Sequence, residues 1–198
     1  MLERKLIIFA KQPKLGQVKT RLAHAVGNPK ALEVYEELLQ LTKSITSKLG
    51  VEKIVYWDQL PEHTELYFGN EFSHAIQSTG DLGIKMASAF QNEFSNEKGK
   101  ILIIGTDCPY LKPSLFEEAY DALDLTDFVI GPAIDGGYYL LGMKEYHPFV
   151  FENIPWSTDS VLPLTLQTIQ SKKFTYSLLV TLNDIDTEDD WKEWKRNR

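Results

Sequence analysis

The feature that most constrains this chain is the regular alternation of short apolar runs with longer stretches of helical periodicity. Short runs of this kind are typical of strands that are covered on both faces of a parallel sheet. The runs are Leu6–Ala10, Lys53–Trp57, Ile101–Gly105 and Asp127–Gly131, with Tyr138–Gly142 and Phe174–Leu179 as further candidates. Alternating strands and helices predict βαβ units and therefore an α/β protein with a three-layer α/β/α sandwich.

The helical stretches carry recognisable start signals. One helix is predicted with Asn28 as its N-cap and Pro29 at its first position. The last helix is predicted to begin at Thr187, because Asp190 three positions later completes a pattern like a capping box. Further helices are predicted from Leu82, from Pro113 and around Ser160–Gln170.

One short connection breaks the alternation. Asp127–Gly131 is followed so closely by Tyr138–Gly142 that no crossover helix fits between them. Parallel strands need such a crossover, whereas antiparallel strands can be joined by a short turn. The sheet is therefore predicted to be mixed and mainly parallel. No repeat or linker interrupts the chain, so residues 1–198 are predicted to form a single domain.

Composition narrows the classes of partner. The formal net charge is −7, which argues against a nucleic-acid backbone or an anionic membrane surface as the ligand. The apolar run Leu6–Ala10 is too short for a signal sequence or a membrane span. Cys108 is the only cysteine, so an intramolecular disulfide is impossible. These features predict a soluble cytoplasmic protein without a membrane span, and they leave its oligomeric state open.

A basic segment follows the first predicted strand, where ligands bind in open α/β sheets. Its cations are Lys11, Lys14, Lys19 and Arg21, with Gly16 among them as a permissive backbone position and no acidic residue between. Backbone N–H groups and cationic side chains together can hold the phosphates of a nucleotide. The alternative is a solvated loop that is basic by chance, but its position favours phosphate binding.

Asp107 directly follows the predicted strand Ile101–Gly105. A carboxylate at a strand end beside a phosphate-binding loop is a natural ligand for Mg²⁺ or Mn²⁺. Asp184 and Asp186 follow the last apolar run, and one of them could complete a metal site opened by Asp107. The alternatives are that Asp107 caps its own turn and that the second pair belongs to the start of the last helix.

Asp135 is followed by two glycines, Gly136 and Gly137, which allow a ligand to approach the backbone closely. Asp135 could bind a sugar hydroxyl or act as a general base. The same residues also fit a tight hairpin turn, and the two interpretations are compatible. Trp156 could stack on a sugar or a base, although a lone tryptophan is more often a packing residue.

The segment before the predicted Leu82 helix offers contacts for the nucleoside. Gln77 could read the edge of a base, and Gly80 could let a base or ribose approach. Asp81 belongs to the same segment. A simple helix entry, with Asp81 as the N-cap, explains these residues equally well.

As a set, these segments resemble the glycosyltransferase-like family related to the 2-phospholactate guanylyltransferases (DUF2064). The resemblance covers nearly the whole chain and departs from the family pattern only at positions such as Gln12, Leu15 and Glu188. Its motifs are Phe9-Ala10-Lys11-Gln12-Pro13, Gly16-x-x-Lys19-Thr20-Arg21-Leu22, Gly80-Asp81-Leu82-Gly83, Gly105-Thr106-Asp107-Cys108-Pro109, Gly131-Pro132-Ala133-x-Asp135-Gly136-Gly137-Tyr138-Tyr139, Ile154-Pro155-Trp156-Ser157-Thr158 and Asp184-Ile185-Asp186-Thr187.

The resemblance implies a GT-A-type nucleotide-diphospho-sugar transferase fold. It also implies a metal held by Asp107 and by an acid of the Asp184–Asp186 segment. The phosphates would be held by Lys11, Lys19 and Arg21. In this superfamily the metal and the cations stabilise charge on a departing phosphate, which gives Asp107 and Lys19 catalytic roles.

Three functions remain compatible with the sequence. The first is metal-dependent transfer from a nucleotide-sugar to a small-molecule acceptor, with Asp135 as a candidate base. The second is nucleotidyl transfer from a nucleoside triphosphate with release of pyrophosphate, which the dense cluster of cations favours. The third is non-catalytic nucleotide binding, against which the acidic residues at several strand ends argue.

Overall fold

One mixed sheet organises the part of the chain that the computed structural model describes, residues 3–96 and 99–197. Its strands are β1 (Glu3–Ala10), β2 (Glu52–Trp57), β3 (Ser73–Ile76), β4 (Gly99–Ile104), β5 (Phe128–Pro132), β6 (Tyr138–Met143) and β7 (Tyr176–Leu178). In space they follow the order β3-β2-β1-β4-β6-β5-β7. Strand β6 is antiparallel to both β4 and β5, and the remaining strand pairs are parallel. The prediction of a mixed, mainly parallel sheet is confirmed.

Helices cover both faces of this sheet. They are α1 (Thr20–Val26), α2 (Asn28–Thr46), α3 (Leu82–Asn96), α4 (Pro113–Leu125), α5 (Val161–Ser171) and α6 (Glu188–Arg196), with 3-10 turns at Thr64–Leu66 and Pro148–Phe151. Successive residues of a strand point to opposite faces. In β1, Leu6 and Ile8 enter one apolar core with α2 and α4, whereas Ile7 enters a second core with α3 and α5. The predicted three layers are therefore present. None of the helices in the described ranges combines the length and the apolar composition needed to cross a membrane.

The ends of the helices only partly follow the sequence prediction. Helix α2 already includes Asn28, and Gly27 takes the cap position that the sequence assigned to Asn28. The short helix α1 is not predicted at all, because its seven residues are too few to establish a helical period. The capping box of α6 is confirmed, since the Thr187 side chain accepts a hydrogen bond from Asp190 N and the Asp190 side chain accepts one from Thr187 N.

The basic loop is anchored where it leaves β1. Tyr35 of α2 is buried, and its hydroxyl accepts a hydrogen bond from Lys11 N at 2.7 Å and donates one to Lys11 O at 3.0 Å. One residue later, Gln12 N donates to Asp58 Oδ1 at 2.6 Å. Val18, further along, is buried in the first core. The neighbouring helix and strand therefore fix the backbone at the start of the loop.

This anchoring predicts that Tyr35→Phe destabilises the fold. The substitution removes both hydrogen bonds of the hydroxyl and leaves polar backbone atoms of Lys11 without their partner. We expect the free energy of unfolding, measured by urea denaturation, to fall by about 1–3 kcal/mol. Tyr176→Phe is the matched control, because the Tyr176 hydroxyl accepts an exposed hydrogen bond from the Gln170 side chain. Equal losses of unfolding free energy in Tyr35→Phe and Tyr176→Phe would contradict the anchoring role of Tyr35.

Candidate active site

A cleft of about 710 Å³ lies at the carboxyl ends of β1, β2, β3 and β4. Its volume is in the usual range for sites that bind small molecules. Residues from both sides of the sheet line it, because Tyr35 and Cys108 belong to the first apolar core whereas Met86, Tyr138 and Trp156 belong to the second. The cleft therefore crosses the upper edge of the sheet, where the sequence predicted a ligand.

The acidic side of the cleft is built from two distant segments. Asp107 follows β4, and Asp184 and Asp186 lie between β7 and α6. The backbone joins the two segments, because Ile185 N donates a hydrogen bond to Asp107 O at 2.9 Å. All three carboxylates line the cleft, and their assignment as metal ligands stays a prediction.

The ammonium of Lys19 lies among these acids. Its Nζ atom is 2.6 Å from Asp107 Oδ1 and 3.4 Å from Asp186 Oδ1, and it donates a hydrogen bond to Ile185 O at 2.6 Å. The side chain is only 5% exposed. Burial by itself would lower the pKa of Lys19, but the Asp107 and Asp186 carboxylates outweigh it and raise the pKa above its ordinary value.

The backbone of Lys19 is also unusual. Its φ of 47° lies in the left-handed region, which residues other than glycine seldom adopt. Such a conformation persists only where surrounding contacts compensate for its cost. The ion pairs of the buried Lys19 ammonium supply such contacts. So does the start of α1, where Ala23 N donates a hydrogen bond to Lys19 O at 2.8 Å. The direction of the Lys19 side chain is therefore set by tertiary structure.

Asp184 is the most buried of the three acids. Among the described residues, no hydrogen-bond partner lies within reach of its Oδ1 atom. Burial, followed by the charge of Asp107, raises the pKa of Asp184 to about 7. A desolvated carboxylate beside like charges is stabilised by a cation, and carboxylate oxygens are the donors that Mg²⁺ and Mn²⁺ prefer. The residues present therefore fit a divalent metal.

The present arrangement of these acids is nevertheless not a ready-made metal cage. Within the described ranges, no three or more His, Cys, Asp or Glu side chains are grouped so as to hold an ion. The ammonium of Lys19 lies between Asp107 and Asp186 instead. The position of this ammonium, which the sequence assigned to the phosphates, is the main unexpected feature of the site.

The remaining residues of the basic loop divide into two groups. Lys11 and Arg21 line the cleft and are exposed, and Arg21 Nη1 lies 3.2 Å from Asp186 Oδ2. Lys14 and Gly16 belong to the same loop but do not form part of the cleft wall. The backbone of Gly16 lies in the left-handed region, with a φ of 76°, a conformation that favours glycine at this position of the turn.

Gln77 lines the cleft beside β1 and β2. Its side-chain amide donates to Ala10 O at 3.2 Å and to Tyr56 O at 2.9 Å. Since both partners are carbonyls, the NH₂ group must face them, and only the Gln77 carbonyl oxygen is left for a ligand. Gly80 and Asp81 lie outside the cleft wall, and Asp81 Oδ1 accepts a hydrogen bond from Ile84 N at 2.9 Å, which is the helix-cap arrangement.

Asp135 lies in the turn between β5 and β6 and lines the cleft with Gly137. Its Oδ1 atom accepts a hydrogen bond from Gly137 N at 2.9 Å. Gly136 is in the same turn but outside the cleft wall, and a Cβ atom there would lie 2.4 Å from Asp159 O. Asp135 therefore both belongs to the turn and lines the cleft, and its role toward a ligand stays a prediction.

Trp156 both packs and lines the cleft. A Cβ atom on Gly83 would lie 2.2 Å from Trp156 Nε1, so the tryptophan lies directly against the first turn of α3. Its ring is edge-on to Tyr138, with ring centroids 6.4 Å apart. One edge of the cleft is thus a packed aromatic wall.

Sequence reasoning missed several residues that line the cleft, among them Lys85 and Tyr138. Lys85 lines the cleft from α3, but between apolar helix residues it resembles an ordinary solvent-facing charge. Tyr138 also lines the cleft, and its buried hydroxyl has no hydrogen-bond partner among the described residues. No sequence signal distinguishes such residues from core and surface residues, because their role depends on which helix is packed against the sheet.

Comparisons with known proteins agree with this fold. A solved structure from Desulfovibrio desulfuricans G20, described as a candidate nucleotide-diphospho-sugar transferase, is 32% identical with a TM-score of 0.88. The match covers 94% of this chain and 84% of that chain. A comparison with curated proteins finds no match.

More distant structures share only the fold. Rv0371c from Mycobacterium tuberculosis H37Rv, solved in complex with manganese, is 13% identical with a TM-score of 0.63 over 100% of both chains. The 4-diphosphocytidyl-2C-methyl-D-erythritol synthase of Anaerococcus prevotii DSM 20548 is 14% identical with a TM-score of 0.61, over 100% of this chain and 97% of that chain. The fold is therefore that of the nucleotide-diphospho-sugar transferases.

The family model described as "Uncharacterized protein conserved in bacteria (DUF2064)" matches residues 41–158. This range includes β2 to β6, Gln77, Asp107 and the Asp135 turn. Because the match covers more than half of the chain, this protein belongs to the DUF2064 family.

Proposed function

We propose that this protein is a divalent-metal-dependent transferase that uses a nucleotide-sugar as donor and a small molecule as acceptor. One observation carries the proposal. Cations of the basic loop after β1 and three carboxylates from two other segments line the same cleft. Cations and acids side by side suit a ligand that combines phosphates with a metal ion. The structure from D. desulfuricans described as a candidate nucleotide-diphospho-sugar transferase supports the same class.

The acidic side of the cleft would hold the metal. Asp107 and one or both of Asp184 and Asp186 are the proposed ligands of Mg²⁺ or Mn²⁺. When bound, the ion would supply positive charge to the phosphates of the departing nucleotide. Lys11 and Arg21 line the adjoining wall and would orient and neutralise the same phosphates, together with Lys19 once it leaves the acids.

The part of the cleft formed by the β5–β6 turn and Trp156 would hold the acceptor and the sugar. Asp135 is exposed and is oriented by its hydrogen bond from Gly137 N, so its carboxylate can accept the proton of an acceptor hydroxyl. Trp156 offers a flat apolar surface for a sugar ring. Gln77 would present its carbonyl oxygen to a hydrogen-bond donor on the nucleoside.

Nucleotidyl transfer from a nucleoside triphosphate is the second candidate. The four cations of the basic loop favour it, because a triphosphate carries more charge than a diphosphate-sugar. The structure favours the nucleotide-sugar, since Lys14 lies outside the cleft wall and Lys19 and Arg21 already share their charge with Asp107 and Asp186. Non-catalytic nucleotide binding is the third candidate and uses the same cleft without turnover.

A thermal-shift panel tests this proposal. The protein is heated with common nucleotide-sugars or nucleoside triphosphates, each with and without Mg²⁺ or Mn²⁺. We expect stabilisation by a nucleotide-sugar only when the metal is present, because the phosphates and the ion occupy one site. The stabilising donor is then incubated with candidate acceptors, and products are identified by mass spectrometry.

Each other outcome of the panel selects another function. Release of pyrophosphate from a triphosphate would replace the glycosyl-transfer proposal by nucleotidyl transfer. Metal-dependent stabilisation without turnover on any acceptor would favour nucleotide binding alone. The absence of stabilisation by every nucleotide with either metal would contradict both enzyme proposals.

Asp107→Asn tests the metal assignment. The variant keeps the shape of the side chain but removes its charge. Mutation of a residue that only hydrogen-bonds to a metal ligand can already lower metal affinity by up to about a hundredfold. We therefore expect the metal-dependent affinity for the nucleotide to fall by at least about a hundredfold. Affinity is measured by calorimetry, and circular dichroism checks that the fold is retained. Asp121→Asn is the control, because Asp121 is 71% exposed on α4 and pairs with Arg4. Unchanged metal dependence in Asp107→Asn would show that Asp107 does not bind the metal.

A further inference from the structure

We propose that Lys19 is an internal counter-ion that takes the place of the divalent metal in the nucleotide-free protein, so that metal and nucleotide bind cooperatively. The inference rests on the proposed function and concerns the regulation of the same site. It starts from the position of one ammonium group. Among the described residues, Lys19 is the lysine whose ammonium contacts both acidic segments of the cleft.

The contacts of this ammonium are those of a bound cation. Three oxygen atoms, from Asp107, Ile185 and Asp186, lie 2.6, 2.6 and 3.4 Å from Nζ. The side chain is 5% exposed, so water contributes little to its solvation. A metal ion that binds Asp107 and Asp186 together would lie within a few ångströms of this ammonium. Two cations so close repel strongly where water is scarce, and therefore only one of them can remain.

The ammonium cannot leave the acids without a new partner. The Lys19 side chain is 5% exposed, so breaking its ion pairs would leave an uncompensated ammonium in a poorly solvated place, which is costly. The neighbouring residues Thr20 and Arg21 line the cleft, so a modest rotation of the Lys19 side chain carries its charge toward the place proposed for the donor phosphates. A phosphate supplies the anion that the departing ammonium needs.

Each ligand therefore prepares the site for the other. The metal releases Lys19 from Asp107, and the phosphates accept the released ammonium. Without nucleotide, the metal must compete with the Lys19 ammonium for the carboxylates. Without metal, the phosphates must compete with the carboxylates for the Lys19 ammonium. Since such coupling is reciprocal, the nucleotide should raise the affinity for the metal by the same factor as the metal raises the affinity for the nucleotide.

Lys19→Met tests the competition directly. Methionine is unbranched and of similar length, and it lacks the charge. Binding of Mn²⁺ alone, without nucleotide, is measured by electron paramagnetic resonance of the free ion. Removal of the competing charge should make Mn²⁺ bind at least about tenfold more tightly than in the wild type. Equal or weaker Mn²⁺ binding in Lys19→Met would overturn the inference.

Two control variants separate charge from loop structure. Lys19→Arg keeps the positive charge, so its affinity for Mn²⁺ alone should stay as low as in the wild type. Lys14→Met removes an exposed charge from the same loop outside the cleft wall, and its affinity should change by less than about threefold, because exposed charges are screened. Tighter binding in all three variants would indicate a loosened loop and would overturn the inference.

The wild-type protein gives a readout that does not depend on the folding of a variant. A buried ammonium in an ion pair exchanges its protons slowly, so the Lys19 amine signal should be visible by ¹H–¹⁵N NMR, and its absence from Lys19→Arg assigns it. Addition of Mg²⁺ together with GDP, UDP, CDP or ADP should shift or remove this signal. Mg²⁺ alone should change it far less. A signal unchanged by a nucleotide and Mg²⁺ that bind together would overturn the inference.

The same titrations separate failure of the inference from failure of the proposed function. If the wild type binds no Mn²⁺ with any of the four nucleotides, the metal-dependent function is wrong and the inference falls with it. If the wild type binds Mn²⁺ with a nucleotide but Lys19→Met gains no affinity for Mn²⁺ alone, only the counter-ion role is wrong. In Lys19→Met the nucleotide should also lose the part of its effect on Mn²⁺ affinity that comes from displacing Lys19, because the competing charge is gone.

Discussion

The ion pair between the buried ammonium of Lys19 and the half-exposed Asp107 joins the segments from which the cleft is built. Lys19 comes from the loop after β1, Asp107 follows β4, and the carbonyl of Ile185 comes from the segment before α6. These segments are far apart in the sequence and meet only because the sheet places their strands side by side. Because the Asp107 side chain is 45% exposed, solvent screens this pair, and the pair contributes less to stability than a fully buried one would. The geometry of the cleft nevertheless depends on this contact.

This contact also explains how the protein tolerates its own acids. Asp107, Asp184 and Asp186 crowd one side of the cleft, and Asp184 is buried without a hydrogen-bond partner for its Oδ1 atom among the described residues. Like charges in a poorly solvated place destabilise one another. Lys19 offsets part of that cost, as its raised pKa shows, while the raised pKa of Asp184 shows that the compensation is incomplete. Because the repulsion among these carboxylates is only partly offset, the acidic side of the cleft still favours the binding of a further cation.

Sequence patterns predicted the sheet and the location of the cleft, because both follow from local rules. Strands such as Leu6–Ala10 are apolar since both of their faces are covered, and residues that follow parallel strands meet at one edge. Asp107, Asp184 and Asp186 could be grouped on that basis alone. The same rule indicated the place of Asp135, since the turn it occupies follows β5.

Side-chain directions could not be predicted in the same way. The left-handed backbone of Lys19, which accompanies its turn toward the acids, depends on tertiary contacts. Gln77 is oriented by two backbone carbonyls from β1 and β2, which no sequence pattern reveals. Lys85 lines the cleft from α3 and Tyr138 from the start of β6, and Trp156 packs against both α3 and Tyr138. Pairings between distant segments, rather than local propensity, set these details.

The segment that carries Asp184 and Asp186 is held by its backbone against the ends of β4 and β5. Leu182 N donates to Pro132 O, Ile134 N donates to Leu182 O, and Ile185 N donates to Asp107 O. Two of the acids that surround Lys19 are therefore positioned by backbone hydrogen bonds to residues that follow other strands. Any change that displaces those strand ends would displace Asp184 and Asp186 with them.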